Sequence, residues 1–140
     1  MKIIVVSGER SGIGKTHLAQ ELLKYLSGWS ALKVTVGRDS GCPHERSCGV
    51  CPEIKNPFYI IKEPRIINQA GKDTARLKEA GAKEVMWLKV RPEGLKVGLD
   101  KALAEFSDCN GVVIEGTSVL KFIKPDINIH VYERGKFSIC

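Results

Sequence analysis

The sequence is poor in aromatic residues, which make up 6% of the chain, and it has no long apolar run, no block of like charge, no internal repeat and no low-complexity tract. Each absence excludes something. Proteins that hold single-stranded nucleic acid stack bases on aromatic rings inside a basic groove, and no such platform exists here, so nucleic acid is not an expected partner. The longest apolar run near the start, Ile3 to Val6, is far below the roughly 20 residues of a spanning helix, and also below the core of a signal peptide. No membrane association is expected, and the cytoplasm is the expected compartment. The net charge of +6 favours anionic ligands, but the lysines and arginines are interleaved with acids rather than gathered in one place.

What is present fits a folded α/β protein. A chain of 140 residues, 43% hydrophobic and 27% charged, is long enough for one domain with a single core, so we expect one domain over 1–140 with an irregular insert at about 37–57. Lys2 to Ser7 reads as a strand. Lys15 to Ser27 carries Leu18, Ala19, Leu22, Leu23 and Leu26 at helical spacing. Leu32 to Val36 reads as a second strand, parallel to the first because a helix lies between them. After the insert, Phe58 to Ile61 and Ile66 to Asn68 read as short extended pieces. Asp73 reads as the N-cap of a helix over Thr74 to Ala80 that stops at Gly81. Glu84 to Val90 reads as a strand, Glu93 to Phe106 as a helix opened by Pro92, Val112 to Glu115 as a buried strand, and Ile127 to Tyr132 as the last strand. Strands alternating with helices predict a mostly parallel sheet covered on both faces, a three-layer α/β/α architecture.

The densest chemical signal is Ser11-Gly12-Ile13-Gly14-Lys15-Thr16-His17, set between the first strand and the first helix. Glycines let backbone N–H groups approach and converge on a phosphate, and the start of a helix adds unpaired N–H groups and partial positive charge. This is the pattern of a P-loop, with Lys15 reaching the β- and γ-phosphates of ATP or GTP and the Thr16 hydroxyl on Mg²⁺. The usual first glycine falls at Glu9, with Gly8 one place earlier; either the loop is one residue longer or Glu9 stands in for that glycine. Arg10 occupies the place where one branch of P-loop proteins carries a second lysine. Magnesium also calls for an acidic partner, and both Asp39 and Glu115 follow strands at the edge where α/β sheets bind ligands. Phosphoryl transfer here would rest on positioning and charge neutralisation. No general base is evident, so slow, partner-stimulated hydrolysis is expected.

Three segments point to a family. They are Val5 to Ala19, the run Gly71-Lys72-Asp73-Thr74-Ala75-Arg76-Leu77-Lys78-Glu79-Ala80-Gly81-Ala82, and Val113-Ile114-Glu115-Gly116 with Pro125-Asp126-Ile127 after it. Together these resemble the MobB family, the molybdopterin-guanine dinucleotide biosynthesis protein B family of P-loop proteins. The resemblance implies a guanine-nucleotide-binding, often dimeric accessory protein that works with a partner enzyme of cofactor assembly to attach GMP to molybdopterin. It also implies nucleotide or Mg²⁺ roles for Lys15, Thr16, Lys72, Asp73 and Glu115. Where that family carries a histidine-rich stretch, this chain carries cysteines.

Five cysteines in a reducing compartment are better read as metal ligands or inert thiols than as a disulfide framework. Cys42, His44, Cys48 and Cys51 lie within ten residues. Three cysteines with an open position would suit an iron–sulfur cluster, and three plus His44 would suit tetrahedral zinc. Cys109 and Cys140 read as bystanders. Cys42-Pro43-His44 also resembles the motif of UreG-type nickel metallochaperone GTPases, which makes a metal-handling GTPase or ATPase the alternative function. No Asn-Lys-x-Asp guanine-recognition motif occurs in the chain.

Overall fold

The computed structural model describes residues 1–10, 12–37 and 57–140. Among the described residues seven strands form one sheet: β1 (Lys2–Gly8), β2 (Trp29–Val36), β3 (Phe58–Ile61), β4 (Val85–Val90), β5 (Gly111–Glu115), β6 (Ile127–Glu133) and β7 (Lys136–Ile139), in the order β3-β4-β2-β5-β1-β6-β7. The five inner strands run parallel, and β3 and β7 close the two sides antiparallel to β4 and β6. The helices are α1 (Lys15–Tyr25), α2 (Pro64–Ile67), α3 (Asp73–Glu79) and α4 (Leu95–Glu105), with short 3₁₀ turns at Pro92–Gly94 and Ser118–Lys121.

Side chains along each inner strand alternate between two cores, as the pleat of a strand demands. Val6, Ala31, Trp87 and Val113 face α1, α2 and α3 on one side, whereas Val5, Leu32, Leu88 and Ile114 face α4 and the 118–121 turn on the other. Burial on both faces explains why these strands read as continuous apolar runs. The expected three-layer arrangement is therefore present. In α4, Leu95, Gly98, Leu99 and Ala102 are the buried positions, a spacing that lays one stripe of the helix on the sheet.

Three local expectations differ from the structure. Ile66 to Asn68 is not extended, because Pro64 starts a single helical turn there: the N–H groups of Ile66 and Ile67 donate to the Glu63 carbonyl and that of Asn68 to the Pro64 carbonyl. Asp73 is not the N-cap of α3. Lys72 holds that position in an extended conformation, and the Asp73 carboxylate is engaged by a lysine of β2. The chain also does not close on β6, since Gly135, at φ 78°, turns it back into β7. No helix among the described residues is long and apolar enough to cross a membrane.

Candidate functional site

β1 and β5 are neighbours in the sheet, but their outgoing connections part company. The chain leaves β1 through α1 toward β2 on one side and leaves β5 toward β6 on the other. Opposed connections from adjacent strands mark a switch point, and the crevice outside the carboxyl ends of such strands is where open α/β sheets bind ligands. Gly8 and Glu115 are the last residues of the two strands.

Gly8, Glu9, Arg10 and Gly12 to Thr16 follow β1 at this edge. Gly12 and Gly14 take φ of +76° and +109°, backbone that residues with a Cβ resist. Gly14 is the N-cap of α1, with no side-chain cap and no acidic residue in the first turn, so the helix start keeps its unpaired N–H groups and positive end. A Cβ on Gly8 would lie 2.9 Å from Ile13 Cγ2 and 3.0 Å from Lys15 Cγ and Cδ. The bare Gly8 backbone thus lets the stem of Lys15 fold over it. Thr117 fixes the same point from below: its hydroxyl accepts from the Gly8 N–H at 2.9 Å and donates to the Gly8 carbonyl at 2.7 Å.

Behind the loop lies a ring of charged and polar groups. The Thr16 hydroxyl donates to Glu115 Oε1 at 2.8 Å. The Lys33 ammonium of β2 lies 2.6 Å from Asp73 Oδ2 and 3.6 Å from Glu115 Oε1, and Arg76 is 3.6 Å from Asp73 Oδ1. Glu115 is only 6% exposed, and its Oε2 has no hydrogen-bond partner among the described residues. A buried carboxylate oxygen without a donor is costly. Because Thr16 gives its proton to Oε1, the lone pairs of its own oxygen remain available, and with Glu115 Oε2 they make the hard-oxygen set that Mg²⁺ takes alongside phosphate and water. The residues fit that ion. Among the described residues no group of three or more His, Cys, Asp or Glu is disposed to hold a metal.

Burial acts to raise the Asp73 carboxyl, but the hydrogen bond and charge of Lys33 and the charge of the Arg76 guanidinium outweigh it and hold it below the usual aspartate range. Burial likewise lowers Lys33, but the charge of Glu115 and the hydrogen bond and charge of Asp73 raise it above the usual lysine value. A depressed carboxyl contributes stability at neutral pH that is lost as the pH falls below about 4, and a raised ammonium contributes stability that is lost only above about pH 10. Wild type should therefore be more stable than Asp73→Asn at pH 7, and the gap in melting temperature should shrink as the pH is lowered. A gap that stays constant down to acid unfolding would remove Asp73 from the ion pair.

Of the residues expected at the site, Gly12, Ile13, Gly14, Lys15, Thr16, Asp73 and Glu115 come together at this edge. His17 is exposed on α1 and Ile13 is buried beneath the loop. Among the described residues no side-chain contact ties Lys72 to the ring. Ser11, Asp39, Cys42, His44, Cys48 and Cys51 lie outside the described residues. The sequence reading missed Lys33 and Thr117. It also missed Ser7, whose buried Oγ is 3.0 Å from both Asn128 Oδ1 and His130 Nδ1 of β6, and His130 Nε2, which lies 3.9 Å from Glu9 Oε1. An α/β protein with a mostly parallel sheet and this site at its carboxyl edge is the class that the geometry defines. Comparisons with protein-family models, curated proteins and solved structures found no match.

Proposed function

We propose that this chain is a P-loop nucleotide-binding protein of the MobB kind, which binds ATP or GTP with Mg²⁺ across the β1–β5 crevice and hydrolyses it slowly. The observation that carries the reading is the buried Thr16–Glu115 pair beneath an uncapped helix start, with one carboxylate oxygen left unsatisfied. In this reading the loop amides and the start of α1 bind the phosphates, and Lys15 neutralises their charge from above Gly8. Thr117 holds the end of β1 so that the loop keeps its shape, and Glu115 orients the Thr16 hydroxyl. A bound Mg²⁺ would supply charge neutralisation at the phosphate oxygens. None of the described residues at the crevice is set up as a covalent nucleophile: Ser7 is fully buried and held by Asn128 and His130. The accessory, dimeric role in attaching GMP to molybdopterin belongs to the same proposal and follows from the family resemblance.

The test is a titration of the full chain with fluorescent ATP and GTP analogues, in Mg²⁺ and in EDTA. Saturable binding that weakens in EDTA is expected for at least one of them, and competition between unlabelled nucleotides then ranks the bases. Failure of both analogues to bind in Mg²⁺ would overturn the proposal.

A further inference from the structure

Lys33 stands inside the site without having an evident part in holding phosphate. Parallel pairing of β2 with β5 places it directly opposite Glu115, and its side chain is 16% exposed. One ammonium is thus shared by two carboxylates from different elements, Asp73 at the start of α3 and Glu115 at the end of β5. Thr16 takes one oxygen of Glu115 and the other has no described partner. Arg76 adds a second cation on the far oxygen of Asp73.

We propose that Lys33 is the built-in counter-cation of the Asp73–Glu115 pair and competes with a divalent ion for these carboxylates, so that the ion is admitted only together with the phosphates of a nucleotide. The inference rests on reading the site as one for a nucleotide with Mg²⁺. A divalent ion at Glu115 and Thr16 lies close to the ammonium, and a repulsion between a double and a single charge at such range is substantial in a partly buried site. An ion arriving alone must overcome that repulsion. An ion arriving with phosphates brings anionic oxygens that give the ammonium new partners in exchange for Glu115. Lys33 is then a positioning residue that makes metal and nucleotide binding mutually dependent, a coupling of two ligands through one side chain.

The experiment uses Mn²⁺ as the probe, titrated without nucleotide into the full chain and followed by the electron paramagnetic resonance signal of the free ion. Wild type should bind Mn²⁺ weakly, Lys33→Met should bind it roughly tenfold more tightly or better, and Lys33→Arg, which keeps the charge, should resemble wild type. Mn²⁺ should also raise the melting temperature of Lys33→Met more than that of wild type. Equal Mn²⁺ affinity in wild type and Lys33→Met overturns the inference, and so does weaker binding in Lys33→Met, which would make Lys33 a support for the site instead of a competitor. If Lys33→Met does not fold, Lys33→Met/Asp73→Asn compared with Asp73→Asn alone carries the same test: the double variant should bind Mn²⁺ more tightly, and no difference overturns the inference. Nucleotide binding is measured separately on wild type. Its absence there overturns the nucleotide reading, whereas nucleotide binding with a Mn²⁺ affinity indifferent to Lys33 overturns the role of Lys33 alone.

Discussion

Lys15→Ala is expected to weaken binding of Mg²⁺-ATP or Mg²⁺-GTP by roughly a hundredfold or more, the loss of one or two charge-assisted hydrogen bonds, while folding stability changes by less than about 1 kcal/mol. Both halves follow from where the side chain lies. Lys15 is the first residue of α1, and its Cγ and Cδ pass over Gly8, so it belongs to the crevice and adds little to either core. Neither core cluster includes it. Calorimetric titration of wild type and variant, with thermal unfolding of both, separates the two quantities. Unchanged affinity would take the loop out of nucleotide binding, and a large loss of stability would make Lys15 a structural residue.

The second large effect is on folding and should leave the site alone. Leu88 is fully buried at the centre of β4, between Val34 of β2 and Ile60 of β3 in the sheet. Beneath α4, its Cδ1 would be 3.1 Å from a Cβ placed on Gly98. The glycine lets the helix come down onto the leucine, so little can move in to refill the space if the side chain is cut back. Leu88→Ala is therefore expected to cost about 3 to 4 kcal/mol, the usual range for a leucine whose cavity does not collapse. Urea unfolding measures it, with the slope unchanged if only the native state is affected. A loss below about 1 kcal/mol would mean that α4 settles into the cavity. Because Leu88 faces the α4 side and α1 lies on the other face, nucleotide affinity in the folded variant should match wild type.

The sequence made the scaffold legible wherever one local rule was enough. Val112 to Ile114 and Ile3 to Val6 read as strands because burial on both faces leaves them apolar throughout, and Gly12 and Gly14 read as a loop because a helix start must be approached closely there. Glu115 was legible for a related reason: an acid directly after a buried strand has to face the edge where the strand ends. Lys33 was not. Within Leu32-Lys33-Val34 it reads as an ordinary outward lysine on a half-buried strand, and only the register with β5, which brings together residues far apart in the chain, sets it against Glu115. Thr117 and the Ser7–Asn128–His130 contacts were hidden in the same way, since they depend on β1 lying between β5 and β6. The edge strand β7 escaped for the opposite reason. All four of its residues are exposed, and without a buried face there is no strong pattern to betray it.

The strand that carries the loop has an awkward birth order. β1 precedes every other described strand, yet its neighbours β5 and β6 come late in the chain, and 109 residues separate Gly8 from the Thr117 hydroxyl that pins it. At ordinary rates of synthesis that interval is roughly ten seconds, during which the loop has its full sequence but nothing beneath it. A nascent chain released before β5 would carry the intact Gly14-Lys15-Thr16 run without the Glu115 and Thr117 contacts that hold it in the folded chain. On the proposed reading, nucleotide binding requires the β1–β5 pairing and the Thr117 contact to be in place, so it would distinguish chains with a completed sheet from chains without one.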